Sequence, residues 1–180
     1  MSDRLAFERP LGATPGGLRV WAPKAERVAV VDVSRRTQPR LVRRFEPPFL
    51  AHDVGWAPGG KRVWVSSGDR EEVAIYAARS GRLLRRLAAD EPPQHFTFRG
   101  ELVYVASGES GKLRVHRVDG RRLRTTVIPA ESYNVQQAHG WVVTPGLGTG
   151  TLCLLDRGGR VRWRRTIARS SHDACIVTLS

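Results

Sequence analysis

The sequence predicts an all-β chain assembled from a repeated unit of four short antiparallel strands, and three observations carry that expectation. First, one column of residues recurs: Arg19-Val20-Trp21-Ala22, Arg62-Val63-Trp64-Val65, Leu102-Val103-Tyr104-Val105 and Trp141-Val142-Val143-Thr144. Second, its valines Val20, Val63, Val103 and Val142 stand 43, 40 and 39 residues apart. Third, no window holds a sustained 3.6-residue apolar period, so no helix is expected.

Each unit follows the same order. The first, 18–46, has the column, then Val28–Val33 and Arg40–Phe45; only Leu5–Phe7 offers itself as its innermost strand. The second, 52–88, opens with His52–Ala57, turns at Pro58-Gly59-Gly60 into the column, and continues with Val73–Ala78, the turn Ser80-Gly81 and Arg82–Leu87. The third, 95–128, runs His95–Phe98, the column, Leu113–Val118, Asp119-Gly120 and Arg122–Ile128. The fourth, 134–168, runs Asn134–Ala138, the column, Leu152–Asp156, Gly158-Gly159 and Arg160–Ile167. A last run, His172–Leu179, repeats the innermost strand once more, and segment 1–17 carries no assigned element. The runs are rich in Val, Leu, Ile, Tyr and Trp, which suit a pleated, half-buried surface. Asp119-Gly120 tolerates positive φ at both positions, as a two-residue hairpin requires. Pro92-Pro93 falls between units, where a backbone donor is not needed. Four strands in about forty residues is the period of a β-propeller blade, so residues 18–180 are expected to form a propeller of about four blades.

Composition agrees with a packed domain. The 180 residues are 41% hydrophobic and 26% charged, which excludes disordered and low-complexity classes. Two cysteines exclude a disulfide-dense scaffold and a four-cysteine zinc site. No apolar run reaches the roughly 20 residues that span a bilayer. The start Met1-Ser2-Asp3-Arg4-Leu5 has no secretory pattern; cytoplasmic location is the expectation, or an extracytoplasmic one if the chain is a truncated relative of secreted proteins.

The net charge is +13, carried by 27 arginines and three lysines. Such a chain attracts polyanions at low salt. The arginines are dispersed, however, and many recur in the last run of each unit: Arg43-Arg44, Arg85-Arg86, Arg121-Arg122-Arg124 and Arg162-Arg164-Arg165. That run is the outer edge of a blade, and charge protects an edge from pairing with another chain. Edge protection is therefore preferred to dedicated nucleic-acid binding.

The pattern resembles the bacterial YVTN-type β-propeller repeats, the family that includes YncE-like proteins. The matching residues are Trp64-Val65-Ser66-Ser67 with Val73-Ala74-Ile75-Tyr76, Tyr104-Val105-Ala106-Ser107 with Leu113-Arg114-Val115-His116, and the inter-unit Pro92-Pro93-Gln94-His95. Trp21-Ala22-Pro23-Lys24 and Thr144-Pro145 depart from it. The resemblance implies a ring of seven or so blades, whereas about four are present. Three arrangements follow: a partial propeller, a ring in which His172–Leu179 completes the first blade so that the N- and C-terminal segments share a sheet, or two chains associating through open blade edges.

The start of the innermost strand carries His52-Asp53, His95, Asn134 and His172-Asp173, at matching positions near one mouth of the central channel. Such groups can hold a small ligand, an anion or a metal, since neutral imidazole ligates zinc, copper or iron. A histidine tying strand to loop within its own blade recurs for free, and that structural role is the more economical reading. No cofactor is expected; a metal at the channel would have to be assembled from different blades, because no tight spacing such as His-Glu-x-x-His is present. Cys153 and Cys175 read as buried thiols rather than a disulfide. Pro145-Gly146-Leu147-Gly148-Thr149-Gly150 lacks the Lys-Ser/Thr of a phosphate loop and reads as a long hairpin turn. The tryptophans read as packing, with Trp163, flanked by Arg162 and Arg164, the one candidate for stacking on a nucleic-acid base. The expected function is a non-enzymatic propeller binding a small ligand or a protein partner at the channel mouth through His52, Asp53, His95, Asn134, His172 and Asp173. The alternatives are a lactonase-like hydrolase with a metal or an acid–base pair at that mouth, and non-specific nucleic-acid binding through the arginine-rich edges.

Overall fold

A computed structural model describes residues 19–177, apart from 25, 36 and 93. The N-terminal segment, the Leu5–Phe7 run, Pro93 and residues 178–180 lie outside the described residues. Fifteen strands are arranged in four antiparallel sheets, with no helix among the described residues. The first sheet is β1 (Arg19–Lys24), β2 (Arg27–Asp32) and β3 (Arg40–Phe45). The second is β4 (Ala51–Trp56), β5 (Arg62–Ser67), β6 (Glu72–Ala77) and β7 (Leu83–Ala88). The third is β8 (Gln94–Arg99), β9 (Leu102–Ser107), β10 (Lys112–Arg117) and β11 (Arg122–Val127). The fourth is β12 (Gln136–Ala138), β13 (Trp141–Gly146), β14 (Thr151–Leu155) and β15 (Val161–Thr166). Each is a meander in chain order, and the inner strands β4, β8 and β12 pack in succession.

The repeat is visible in the register. On the outermost pair of every sheet the ladder slips by one residue at the same place: between Val30 and Val31, Ile75 and Tyr76, Val115 and His116, and Leu154 and Leu155. The extra residue is Val42, Leu84, Leu123 or Arg162, always on the outer strand. A bulge at an edge bends the strand and raises its twist, which blunts it against further pairing. The outer strands β3, β7, β11 and β15 are almost wholly exposed, as the arginine pattern implies.

The core lies between the sheets. Trp21, Val28 and Val30 of the first sheet pack on Val63, Val65 and Tyr76 of the second. Trp64, Val73 and Ile75 of the second meet Val103 and Val105 of the third, with Phe96 and Phe98. Tyr104, Leu113 and Val115 of the third meet Val142, Cys153 and Leu155 of the fourth. Two polar locks recur across these seams. Trp64 Nε1 donates to the Val118 carbonyl at 3.3 Å, and Tyr104 Oη donates to the Arg157 carbonyl at 2.8 Å, at equivalent places one unit later. The stems of Arg43, Arg85 and Arg124 lie over Gly81, Gly120 and Gly159, the turn glycines of the following sheet. Gly120 and Gly159 have φ of +93° and +75°, so glycine serves there both the turn and the close approach.

Two expectations are corrected. Among the described residues the first sheet holds the three strands expected over 18–46. The run expected to complete it forms no strand over its described part, His172 to Val177, so the terminal segments share no sheet among the described residues. Its first residues are instead drawn sideways to the fourth sheet, where Asn134 and Tyr133 engage Asp173 and His172. Finally, the glycine-rich turn is shorter than expected. Pro145 and Gly146 belong to β13, because β12 reaches only as far as Val143 and leaves no inner ladder at Pro145 for a missing donor to interrupt.

Candidate functional site

The six site residues fall into two clusters rather than one. In the first, His52 at the start of β4 and His95 at the start of β8 face each other across adjacent inner strands. Their Nε2 atoms are 3.0 Å apart and their rings meet edge to face with centroids 4.4 Å apart. Two lone pairs cannot share that distance, so one ring carries its proton on Nε2 and donates it to the other. Burial, together with the His95 ring, holds His52 below the ordinary histidine value, against the opposing field of Asp53.

Asp53 is the half-buried carboxylate of this cluster. Its Oδ1 accepts from the Val54 amide at 2.7 Å, its Oδ2 from the Phe96 amide at 3.4 Å, and that same Oδ2 lies 3.7 Å from His95 Nδ1. One carboxylate thus ties two inner strands together and stands beside one imidazole. The strands can approach because Gly55 has no side chain: a Cβ there would stand 2.7 Å from Phe98 Cε2 and against the Phe96 ring.

The second cluster joins Asn134, just before β12, to the terminal segment. Asn134 Nδ2 donates to Asp173 Oδ1 at 2.8 Å, and Asp173 Oδ2 lies 2.9 Å from His172 Nδ1. The Asn134 Oδ1 atom is buried without a hydrogen-bond partner. The Tyr133 ring, seated on Gly108, stacks on His172 with centroids 6.4 Å apart. His172 and Asp173 are exposed. Among the described residues, no three His, Cys, Asp or Glu side chains converge as a metal site.

Sequence reasoning missed the most strongly bonded group. Asp90, in the connection before β8, receives Arg114 Nε at 2.6 Å, Arg114 Nη2 at 2.9 Å and Lys112 Nζ at 3.0 Å. Burial alone would raise its carboxyl; the hydrogen bonds from Arg114 and Lys112 outweigh that and hold it low. Arg114 also donates to the Ala88 carbonyl. The available signal was its register place, where the other units carry Ala29, Ala74 and Cys153. A charge in that column needs a buried partner. The cysteines are both free, Cys153 buried and Cys175 exposed, so only Cys153 fits the expected buried thiol. Burial pushes it up to about 11, leaving it unreactive at neutral pH.

No sequence-family profile matches the chain, and no curated protein matches it in sequence. Solved structures do match its fold. One is hydrazine synthase of Kuenenia stuttgartiensis, with a TM-score of 0.73 and 16% identity over 86% of this chain and 47% of that one. Another is a functionally unknown protein from Desulfotomaculum acetoxidans DSM 771, with a TM-score of 0.71 and 10% identity over 94% of this chain and 62% of that one. The chain thus spans about half the length of the first and less than two thirds of the second. At these identities the likeness shows the fold alone, and with the four meandering sheets it defines a β-propeller repeat protein.

Proposed function

We propose that this chain is a non-enzymatic β-propeller module of the YVTN, YncE-like kind that binds a small polar ligand or a protein partner at the mouth formed by its inner-strand starts. The observation that carries this reading is the His52–His95 contact between consecutive inner strands. It holds two imidazole rings together on a rigid frame, with the Asp53 carboxylate beside them. The unsatisfied Asn134 Oδ1 beside Asp173 supplies a second place where a donor is wanted. Recognition by groups at strand ends and loops, held by a packed scaffold, is the usual division of labour.

The test is a nuclear magnetic resonance screen of the protein against a library of small polar fragments. Shifts concentrated on the His52, His95 and His172 rings, abolished by the His52→Ala/His95→Ala double variant, support the reading. Responses elsewhere that the double variant leaves unchanged refute it. A hydrolase of lactonase type is the second reading, favoured by the Asp53–His95–His52 chain, which has the order of an acid–base relay. Stoichiometric metal retained by the purified protein would favour that reading instead. Non-specific nucleic-acid binding is the third, favoured by the exposure of Trp163 between arginines; binding lost on raising salt, without quenching of tryptophan fluorescence, would dispose of a dedicated site.

A further inference from the structure

The fourth sheet carries the apolar face of a blade that has a neighbour. At each internal seam the forward face of one sheet is buried by the next, and Ile128, on the forward face of the third sheet, is 2% exposed. Its counterpart in the fourth sheet is Ile167: both donate their amide to a turn glycine carbonyl, Gly111 or Gly150. Ile167 is 56% exposed, and on the same face Trp141 and Trp163 are 43% and 40% exposed. By register Trp163 lies opposite Leu154, where Arg43, Arg85 and Arg124 lie opposite Val30, Ile75 and Val115.

The first sheet carries the matching receiving face. Val20, Ala22, Ala29 and Val31 occupy the register places of Val63, Val65, Ala74 and Tyr76, which are buried at the seam between the first and second sheets. In the first sheet they are only half-buried. The two open faces also depart from the internal plan together. Inside the chain an arginine stem rests on a turn glycine. At the open ends a tryptophan stands for the arginine, and the seven-residue connection 33–39 stands where the glycine turns have four or five residues. Both halves of one lock are replaced at once, as they would be if they met each other.

The geometry points to a second copy of this chain as the occupant: the fourth sheet of one copy seats against the first sheet of the other, and the reverse contact closes a two-fold ring of eight sheets. The terminal segment gives the seam a further component. It starts with His172-Asp173, as β4 contains His52-Asp53, and leaves the fourth sheet without joining a ladder. The first sheet ends at β1 with no inner neighbour among the described residues. In the assembled pair, residues 174–177 of one copy add to β1 of the other. A chain of net charge +13 repels its twin, so the apolar seam strengthens with salt, opposite in sign to polyanion binding.

Sedimentation of the full chain across protein and salt concentration tests this. The expected species is about 40 kDa, twice the 20.0 kDa chain, and it gains population as salt rises. Trp163→Glu and Ile167→Glu, both at exposed positions, each lose it with unchanged circular dichroism. Val127→Glu, exposed on the third sheet's edge, retains it. A second readout is thiol labelling, which reports Cys175 because Cys153 is buried; labelling slows as the protein is concentrated, and does not slow in the two glutamate variants. Sedimentation at 20 kDa under every condition, an unlimited ladder of sizes, a dimer indifferent to both glutamate variants, or labelling independent of concentration overturns the inference.

Discussion

His116 makes the fold acid-sensitive, and the repeat itself supplies the variant that shows it. The ring is 3% exposed in β10, edge to face with Trp64 across the seam at 5.8 Å. Its Nδ1 lies 3.3 Å from the Gly120 carbonyl, an acceptor only, so Nδ1 holds the proton of the neutral ring. Burial lowers its pKa from 6.5 to about 4, helped by Arg114 and Arg122 and opposed by the Gly120 carbonyl. A depressed folded value means that the unfolded chain takes up the proton first. The stability contribution is therefore complete above pH 6.5 and is lost as pH falls toward about 4. The full shift corresponds to about 3 kcal/mol, of which about 2 kcal/mol is lost by a pH of about 5. Leu155 occupies the equivalent place in the fourth sheet, so His116→Leu is the natural substitution. At neutral pH it costs about 1 kcal/mol for the carbonyl left without its donor. Urea unfolding of both proteins at a pH of about 7.5 and about 5 is the assay. The fall in stability between the two is about 2 kcal/mol smaller in the variant, because Asp90, His52 and the net charge contribute equally to both and subtract out. An identical fall in both proteins would refute the buried neutral histidine.

Two other substitutions probe the seams. Asp90→Ala leaves Arg114 buried without its carboxylate and lowers stability by about 3 kcal/mol in urea unfolding, with Asp90→Ala/Arg114→Ala costing less than the two singles together; a loss under about 1 kcal/mol would show that water replaces the carboxylate. Gly55→Ala drives a methyl group into the Phe96 and Phe98 rings and costs about 1–3 kcal/mol by thermal unfolding, with partial rescue by Phe98→Leu; an unchanged midpoint would mean that the inner strands yield freely.

Much of this fold was legible because its signal is repeated. The aromatic-valine column marks the second strand of the three four-stranded sheets and β1 of the first, and turn pairs such as Asp119-Gly120 fall between third and fourth strands as expected. The recurring bulge was not legible, since one extra residue inside an outer run of Arg, Leu and Val leaves no mark on composition. Nor was the reach of Trp64 and Tyr104 to carbonyls one unit onward, which depends on how sheets stack rather than on local pattern. The candidate site was half legible: matching positions located His52, His95, Asn134 and His172, but spacing along the chain could not divide them into two clusters. Asp90 and Arg114 escaped because a charge looks solvated until the neighbouring sheet is placed. The terminal run resembles an inner strand in sequence, yet a strand forms only where a free edge receives it, and its first residues bond to Asn134 instead.

The claim beneath all of this is that consecutive forty-residue units stack as sheets, each locked to the next at equivalent points. Nuclear Overhauser contacts of the Trp64 indole N–H and the Tyr104 ring measure it most directly. The stacked arrangement predicts that the Trp64 indole contacts Val118, the Tyr104 ring contacts Arg157, and the indole proton exchanges slowly with water. An indole proton that exchanges freely, with both contacts missing, would contradict it.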